Sequence, residues 1–172
     1  MDYAEDGEMV DVDIIKTFGD LVVADILNTD PIKATSDTPM VEIVRIFRDH
    51  NLAGIPIVDR NILKGMAMKL DLLELYFIPH HEIDDMEKLL RLASLIDPSR
   101  SVKEFMDPQP IAITPTVKAY RLAQRMLKND IFIFPVIEEK KRDSPKAKRE
   151  FIGTVTLDDM IPLLYGAIVK ED

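Results

Sequence analysis

A threonine and an aspartate three residues apart, Thr156 and Asp159, stand where a strand-like run, Gly153-Thr154-Val155, gives way to a helix start. That pair can do two kinds of chemistry. In a capping box, hydroxyl and carboxylate accept hydrogen bonds from backbone N–H groups left free at the helix start. In a ligand site, the same helix start attracts phosphate, and an exposed aspartate can accept two hydrogen bonds from a ribose diol. The spacing alone does not choose between them. Other reactive residue types are sparse: the 172-residue chain has no cysteine and three histidines. Lack of cysteine excludes a disulfide framework, a thiolate metal site and a cysteine nucleophile. His80-His81-Glu82, followed by Asp84 and Asp85, invites a metal reading. Adjacent histidines on regular backbone point apart, however, and rarely reach one ion, so no metal site is assigned. There is no glycine-rich phosphate loop and no paired-carboxylate arrangement, so no catalytic residue is assigned and the chain is not read as an enzyme.

These residues sit in an acidic, apolar-rich chain. It carries 22 basic and 31 acidic residues, a formal charge of −9, with 47% hydrophobic residues, which suits a packed core rather than disorder. The balance disfavours nucleic acid as a partner. No apolar run approaches the roughly 18 residues of a membrane span. The acidic start, Met1-Asp2-Tyr3-Ala4-Glu5-Asp6, is unlike a signal peptide, so the expectation is a cytoplasmic chain without membrane insertion. The charge is uneven. Asp2, Glu5, Asp6, Glu8, Asp11 and Asp13 have no basic residue among them, whereas Lys140 to Arg149 carries six basic residues and only Asp143. That net +5 segment, with Ser144-Pro145 at its centre, reads as a solvated loop between strands and leaves −14 for the remainder.

The elements that must position Thr156 and Asp159 occur twice. Val22–Asp59 lies over Ser101–Glu138 at an offset of 79, with identities at Val23/Val102, Pro31/Pro110, Ile32/Ile111, Thr35/Thr114 and Pro56/Pro135. The helical stripe Met40, Ile43, Val44, Phe47 returns as Ala119, Leu122, Ala123, Met126. Each stripe precedes an apolar run with an internal proline, Gly54–Asp59 and Ile133–Glu138. Beyond the basic loop the register resumes at offset 88, where Lys64–Asp71 matches Ile152–Asp159. Each copy predicts strand, helix, strand, strand, helix. In the first, strands fall at Pro31–Thr35, Gly54–Val58 and Leu63–Met68, with helices near Thr38–Asn51 and Lys69–Phe77. The internal prolines suit edge strands, because proline donates no ladder hydrogen bond. A copy of this size buries too little surface to be comfortable alone, so two should pack together. Between them, Ile83, Met86, Leu89, Leu90, Ala93 and Ile96 predict one amphipathic helix.

Duplication, order and spacing together resemble a CBS-domain pair, or Bateman module. The resemblance is carried by the lead-ins Val23–Leu27 and Val102–Met106, the [Ile/Phe]-Pro-[Ile/Val] middle strands and the Gly-h-h-Thr-x-x-Asp ending. It implies an α+β fold of two tandem β-α-β-β-α CBS units packed through their sheets with pseudo-two-fold symmetry. The organisation would be an acidic lead-in at 1–19, a first CBS unit at 20–78, a helical linker at 79–99 and a second unit at 100–168 carrying the basic loop 140–149. It also implies a regulatory ligand-sensing module that binds AMP, ADP, ATP or S-adenosylmethionine in the cleft between units, forms a homodimer and signals to an effector protein by changing shape. The alternative is a structural dimerisation or scaffold module without a nucleotide ligand.

By position, the resemblance assigns ribose binding to Thr156 and Asp159, and an adenine slot to Thr38, Leu52, Ala53, Gly54 and Ile55. A second site would use Asp71 and Lys69 with the slot Phe132, Ile133 and Phe134, but it is degraded: Met68 replaces the threonine, Val117 takes the place of Thr38, and the slot is bulky. Phe132 and Phe134 read equally well as core. Phosphate recognition departs from the family pattern. Asp158 adjoins Asp159, and Ile133 stands where arginine is expected, with Lys69, Lys64 and His50 the nearest cations. That charge arrangement favours few phosphates, a cationic ligand such as S-adenosylmethionine, or magnesium-bound ATP.

Overall fold

The computed structural model describes residues 19–76, 97, 99–140 and 148–168. The acidic segment 1–18, most of the 79–99 linker with His80, His81 and Glu82, and positions 141–147 of the basic loop lie outside the described residues. In chain order the elements are α1 (Val23–Ile26), α2 (Met40–Asp49), β1 (Gly54–Asp59), β2 (Ile62–Met68), α3 (Lys69–Tyr76), a 3₁₀ turn (Val102–Glu104), α4 (Ala119–Asn129), β3 (Ile133–Lys140), β4 (Lys148–Thr156) and α5 (Leu157–Ile168).

The chain divides into two compact units, and neither is one sequence copy. One comprises residues 32–110; the other joins 1–31 to 111–172. Each lead-in thus belongs to the unit that holds the other copy's strands and helices.

In the 32–110 unit, β1 and β2 form an antiparallel hairpin closed by Arg60 and Asn61, whose positive φ values of 48° and 65° fit the twist of a two-residue hairpin turn. Met40, Ile43 and Phe47 of α2 pack with Ile55, Ile57, Ala67, Leu72 and Val102. Val44, expected in that stripe, is 41% exposed; Ile46, on the opposite flank of the same face, makes the packing contact instead. The other unit repeats the plan. β3 and β4 pair antiparallel, and Ala119, Leu122 and Met126 of α4 pack with Val23, Ile113, Phe134, Val136, Val155 and Met160.

The strand expected at Pro31–Thr35 is reduced to a single parallel bridge between Ala34 and Ile57. Ala34 N–H donates to Pro56 O at 3.1 Å, and Val58 N–H donates to Ala34 O at 2.8 Å. Continuing this ladder toward Ile32 would require an N–H from Pro56, which has none. Copy two stops for the same reason: Ile113 and Ile137 make the equivalent bonds around Pro135, at 3.1 and 2.9 Å. The prolines therefore lie inside regular strands, with the donor-free side turned toward a truncated ladder.

Short range hydrogen bonding explains the lead-in motifs. Val22 N–H donates to Asp25 Oδ2 at 2.9 Å, and Ser101 N–H donates to Glu104 Oε1 at 3.2 Å, so the acidic residue of each lead-in caps its own turn. Each lead-in then lies across a glycine. Asn28 and Thr154 exchange two backbone hydrogen bonds of 3.0 Å beside Gly153, and Asp107 and Met66 exchange bonds of 2.9 and 3.0 Å beside Gly65. A Cβ on Gly153 would collide with the Asn28 carbonyl oxygen and lie 2.7 Å from Leu27 Cδ1. A Cβ on Gly65 would meet the Asp107 carbonyl oxygen, with Met106 Sδ at 2.8 Å. Only glycine admits so close a crossing.

Candidate ligand-binding site

Thr156 is the last residue of β4, and α5 starts at Leu157, so Asp159 falls in the first helical turn. A single carboxylate oxygen, Oδ2, accepts from both Thr156 N–H and Thr156 Oγ1–H, each at 2.7 Å. Asp159 N–H in turn donates to Thr156 Oγ1 at 3.3 Å. The pair thus forms the reciprocal cap predicted from its spacing. It leaves Asp159 Oδ1 without a hydrogen-bond partner among the described residues, and that atom is not buried. A cap that engages only one oxygen holds the second in a fixed direction at a helix N-terminus, where it can accept a hydroxyl proton. Capping and ligand binding are compatible here.

Tertiary pairing brings two further candidates to this junction. Ile133 is registered opposite Thr156, and Leu157 N–H donates to Phe132 O at 2.9 Å. Phe132 is 42% exposed, whereas Phe134 is fully enclosed in its unit's core, where it packs as an ordinary core residue. Asp158, next to the capped aspartate, is exposed.

The 32–110 unit repeats this junction with altered chemistry. Lys69 N–H donates to Ala53 O at 3.0 Å, the counterpart of the Leu157–Phe132 bond, and Gly54 is registered opposite Met68. Asp71 occupies the first turn of α3, as Asp159 does in α5, but methionine replaces the threonine hydroxyl. Lys69 Nζ lies 5.9 Å from the centre of the Phe47 ring, a cation–π placement. Leu52 N–H donates to His50 O at 2.9 Å in the turn that leads into β1. Leu52 is half-buried, Ala53 exposed, and Gly54 and Ile55 buried, Ile55 within its unit's core.

Thr38 lies just before α2, whose N-cap is Pro39, without a side-chain hydrogen bond. The Thr38 hydroxyl instead accepts from Thr35 N–H at 3.0 Å and lies 3.1 Å from Thr35 Oγ1, while Thr38 N–H donates to Thr35 O at 3.0 Å. Thr35 was missed as a positioning residue, although its repetition as Thr114 was the available signal. The next residue anchors the same turn: Ser36 N–H donates to Asp59 Oδ1 at 2.9 Å, and the Ser36 hydroxyl donates to Oδ2. Those bonds, the hydroxyl's first, hold the Asp59 carboxyl below the usual carboxylate range. Thr38 and residues 52–55 belong to the 32–110 unit, and Thr156 and Asp159 to the other.

Comparison with known proteins matches this duplicated geometry. The CBS-domain family model matches residues 23–77 and again 102–166. The chain is 23% identical over 163 residues to uncharacterized protein MJ1426 of Methanocaldococcus jannaschii, covering 84% of this chain and 91% of that one. Among solved structures, it resembles the CBS domain pair of protein MJ0100 in complex with 5′-methylthioadenosine and S-adenosyl-L-methionine. There the identity is 25% and the TM-score 0.59, with 85% of this chain and 97% of that one covered. CBSX2 in complex with AMP shares the fold at 19% identity and a TM-score of 0.65, over 86% of this chain and 98% of that one. No helix among the described residues is long and apolar enough to cross a membrane. With two matched copies that together span most of its length, this chain belongs to the CBS-domain family and is a CBS-domain pair.

Proposed function

We propose that this chain is a regulatory module that binds an adenosine-containing ligand and passes its occupancy to an effector protein. The observation that carries the reading is the Thr156–Asp159 cap, in which one carboxylate oxygen is engaged and the other stands open at the helix start. We assign Oδ1 to a ribose hydroxyl, and the backbone of Leu52, Ala53, Gly54 and Ile55, with Thr38, to adenine recognition. The 25%-identical pair that holds methylthioadenosine and S-adenosylmethionine supports this ligand class.

Charge narrows the ligand. Asp158, next to Asp159 in sequence, is an exposed carboxylate, and Ile133 opposite Thr156 supplies no cation. A triphosphate would meet like charge, whereas a sulfonium or an uncharged thioether would not. The preferred ligands are therefore S-adenosylmethionine and methylthioadenosine, then AMP, with ADP and ATP weaker unless magnesium offsets their charge. The second set, Asp71, Lys69, Phe132, Ile133 and Phe134, has Met68 in place of the threonine and Phe134 enclosed in the core, and would hold a ligand weakly or not at all. Signalling would be a population shift within a homodimer, the ligand favouring the arrangement it binds best.

A melting-temperature screen tests the class. A ligand at about one hundred times its Kd stabilises the native state by about 2.7 kcal/mol, which raises the melting point of a chain this size by about 5 to 10 °C. The reading predicts such shifts with S-adenosylmethionine or methylthioadenosine, and smaller ones with magnesium-free ATP. Absence of any shift across adenosyl compounds would favour a structural scaffold instead.

A further inference from the structure

The two pseudo-equivalent helices α2 and α4 differ in how their surface charge is met. On α2 the exposed cations are matched within the helix: Arg45 pairs with Glu42, and Arg48 with Asp49. On α4 the residues Arg121, Arg125 and Lys128, with Lys118 just before the first turn, follow a 3, 4, 3 spacing and so share one face. That helix contains no acidic residue. Arg121 rests 5.2 Å from the centre of the Tyr120 ring and lies 3.4 Å from Gln124 Oε1; Arg125 and Lys128 make no ion pair among the described residues. In a chain of net charge −9, this is a basic stripe on a regular helix with no ion pair among the described residues. The sister helix shows that the fold does not require it.

The beginning of the same chain is tied to the start of this helix. Lys118 Nζ donates to Asp20 O at 3.2 Å, and Ala119 N–H donates to Leu21 O at 2.9 Å. The bridge between Val22 and Lys118 is antiparallel, so the chain followed toward its N-terminus passes Lys118 and then Ala119, the first residue of α4. Upstream lie Asp2, Glu5, Asp6, Glu8, Asp11 and Asp13, with no basic residue among them. The seven residues from Asp20 to Asp13 can span up to about 25 Å, and the 11-residue helix is about 16 Å long, so the carboxylates can reach every cation of the stripe.

We infer that the basic face of α4 is the docking surface for the chain's own acidic segment, residues 2–13. The contact is electrostatic and tethered: high effective concentration compensates for individually weak exposed ion pairs, and salt releases it. An acidic partner protein would have to displace the segment to use this face, which makes the segment an internal competitor. The inference does not depend on which ligand the CBS pair binds.

The absence of cysteine allows a clean test in the full chain. A nitroxide attached to Met9→Cys should cause a several-fold loss of amide peak height along α4 at low salt, with α2 amides as the reference. The loss should disappear when salt is raised from about 0.1 to about 1 M, where screening shortens to about 3 Å. It should also disappear in the combined variant Arg121→Glu, Arg125→Glu, Lys128→Glu, provided that the β3 and β4 amide shifts are unchanged. If that variant unfolds, the salt series and the neutral Arg125→Gln, Lys128→Gln pair decide instead. Equal broadening of α2 and α4 would overturn the inference. So would broadening that persists in an isotope-labelled chain mixed with separately spin-labelled chain, because the occupant would then be a second copy.

Discussion

Replacing Gly153 by alanine tests the crossing that holds β4, and with it the Thr156–Asp159 junction. The new methyl group would overlap the Asn28 carbonyl oxygen and sit 2.7 Å from Leu27 Cδ1, and the glycine's φ of 157° strains any side chain. The contact on one side is backbone, so it cannot relax by a rotamer change; the lead-in must move. Moving it breaks the two 3.0 Å bonds between Asn28 and Thr154, a net loss of about 2 kcal/mol. Overpacking adds roughly 1 to 3 kcal/mol. The sum, about 3 to 5 kcal/mol, is a large share of the 5–15 kcal/mol that typically stabilises a native protein. It corresponds to a fall in melting temperature of about 6 to 20 °C for a chain this size. Calorimetric melting of Gly153→Ala beside the parent measures it, with urea unfolding for the free energy. A variant within about 0.5 kcal/mol of the parent, the range of an ordinary surface change, would refute the crossing as the reason for this glycine.

Phe134→Ala should cost about 3 to 5 kcal/mol in urea unfolding, because its fully enclosed ring fills the core around Val136 and Val155. Asp59→Asn should flatten the acid limb of stability. With its folded pKa lowered by the Ser36 hydroxyl and N–H, the parent carboxylate stabilises the fold above the unfolded carboxylate pKa and loses that contribution as pH falls through the lowered one. Unfolding midpoints from neutral pH into the acid range read this directly, and parallel curves for parent and variant would contradict it. Thr156→Val removes both hydroxyl bonds of the cap and should cost about 1 kcal/mol, while Thr156→Ser recovers most of it.

Much of the fold was legible because the chain states it twice. The hairpin strands and the helices after them fall within a residue or so of the predicted bounds, since period-2 and period-3.6 patterns report burial directly. Each lead-in's membership of the other copy's unit was not legible. Four- and three-residue turns carry no periodicity, and Gly65 and Gly153 signal a close approach without naming what approaches. The missing first strand follows from Pro56 and Pro135, whose edge preference was read correctly but whose effect on the neighbouring ladder was not. At the site, T-x-x-D spacing was enough to foresee the Thr156–Asp159 contact, because both partners lie within one turn. The helix expected near Thr38 starts two residues later, at Met40, because Thr38 is held in a turn with Thr35 and Pro39 supplies a boundary that needs no hydroxyl.

The central claim is that Asp159 Oδ1 receives an adenosyl ribose. Calorimetric titration of the full chain and of Asp159→Ala with S-adenosylmethionine and methylthioadenosine tests it most directly. Loss of a hydrogen bond to a charged acceptor is worth roughly 1.5 to 3 kcal/mol, so the account predicts binding by the parent and about tenfold to hundredfold weaker binding by a variant that still melts cooperatively. Equal affinity in the parent and in folded Asp159→Ala would contradict it.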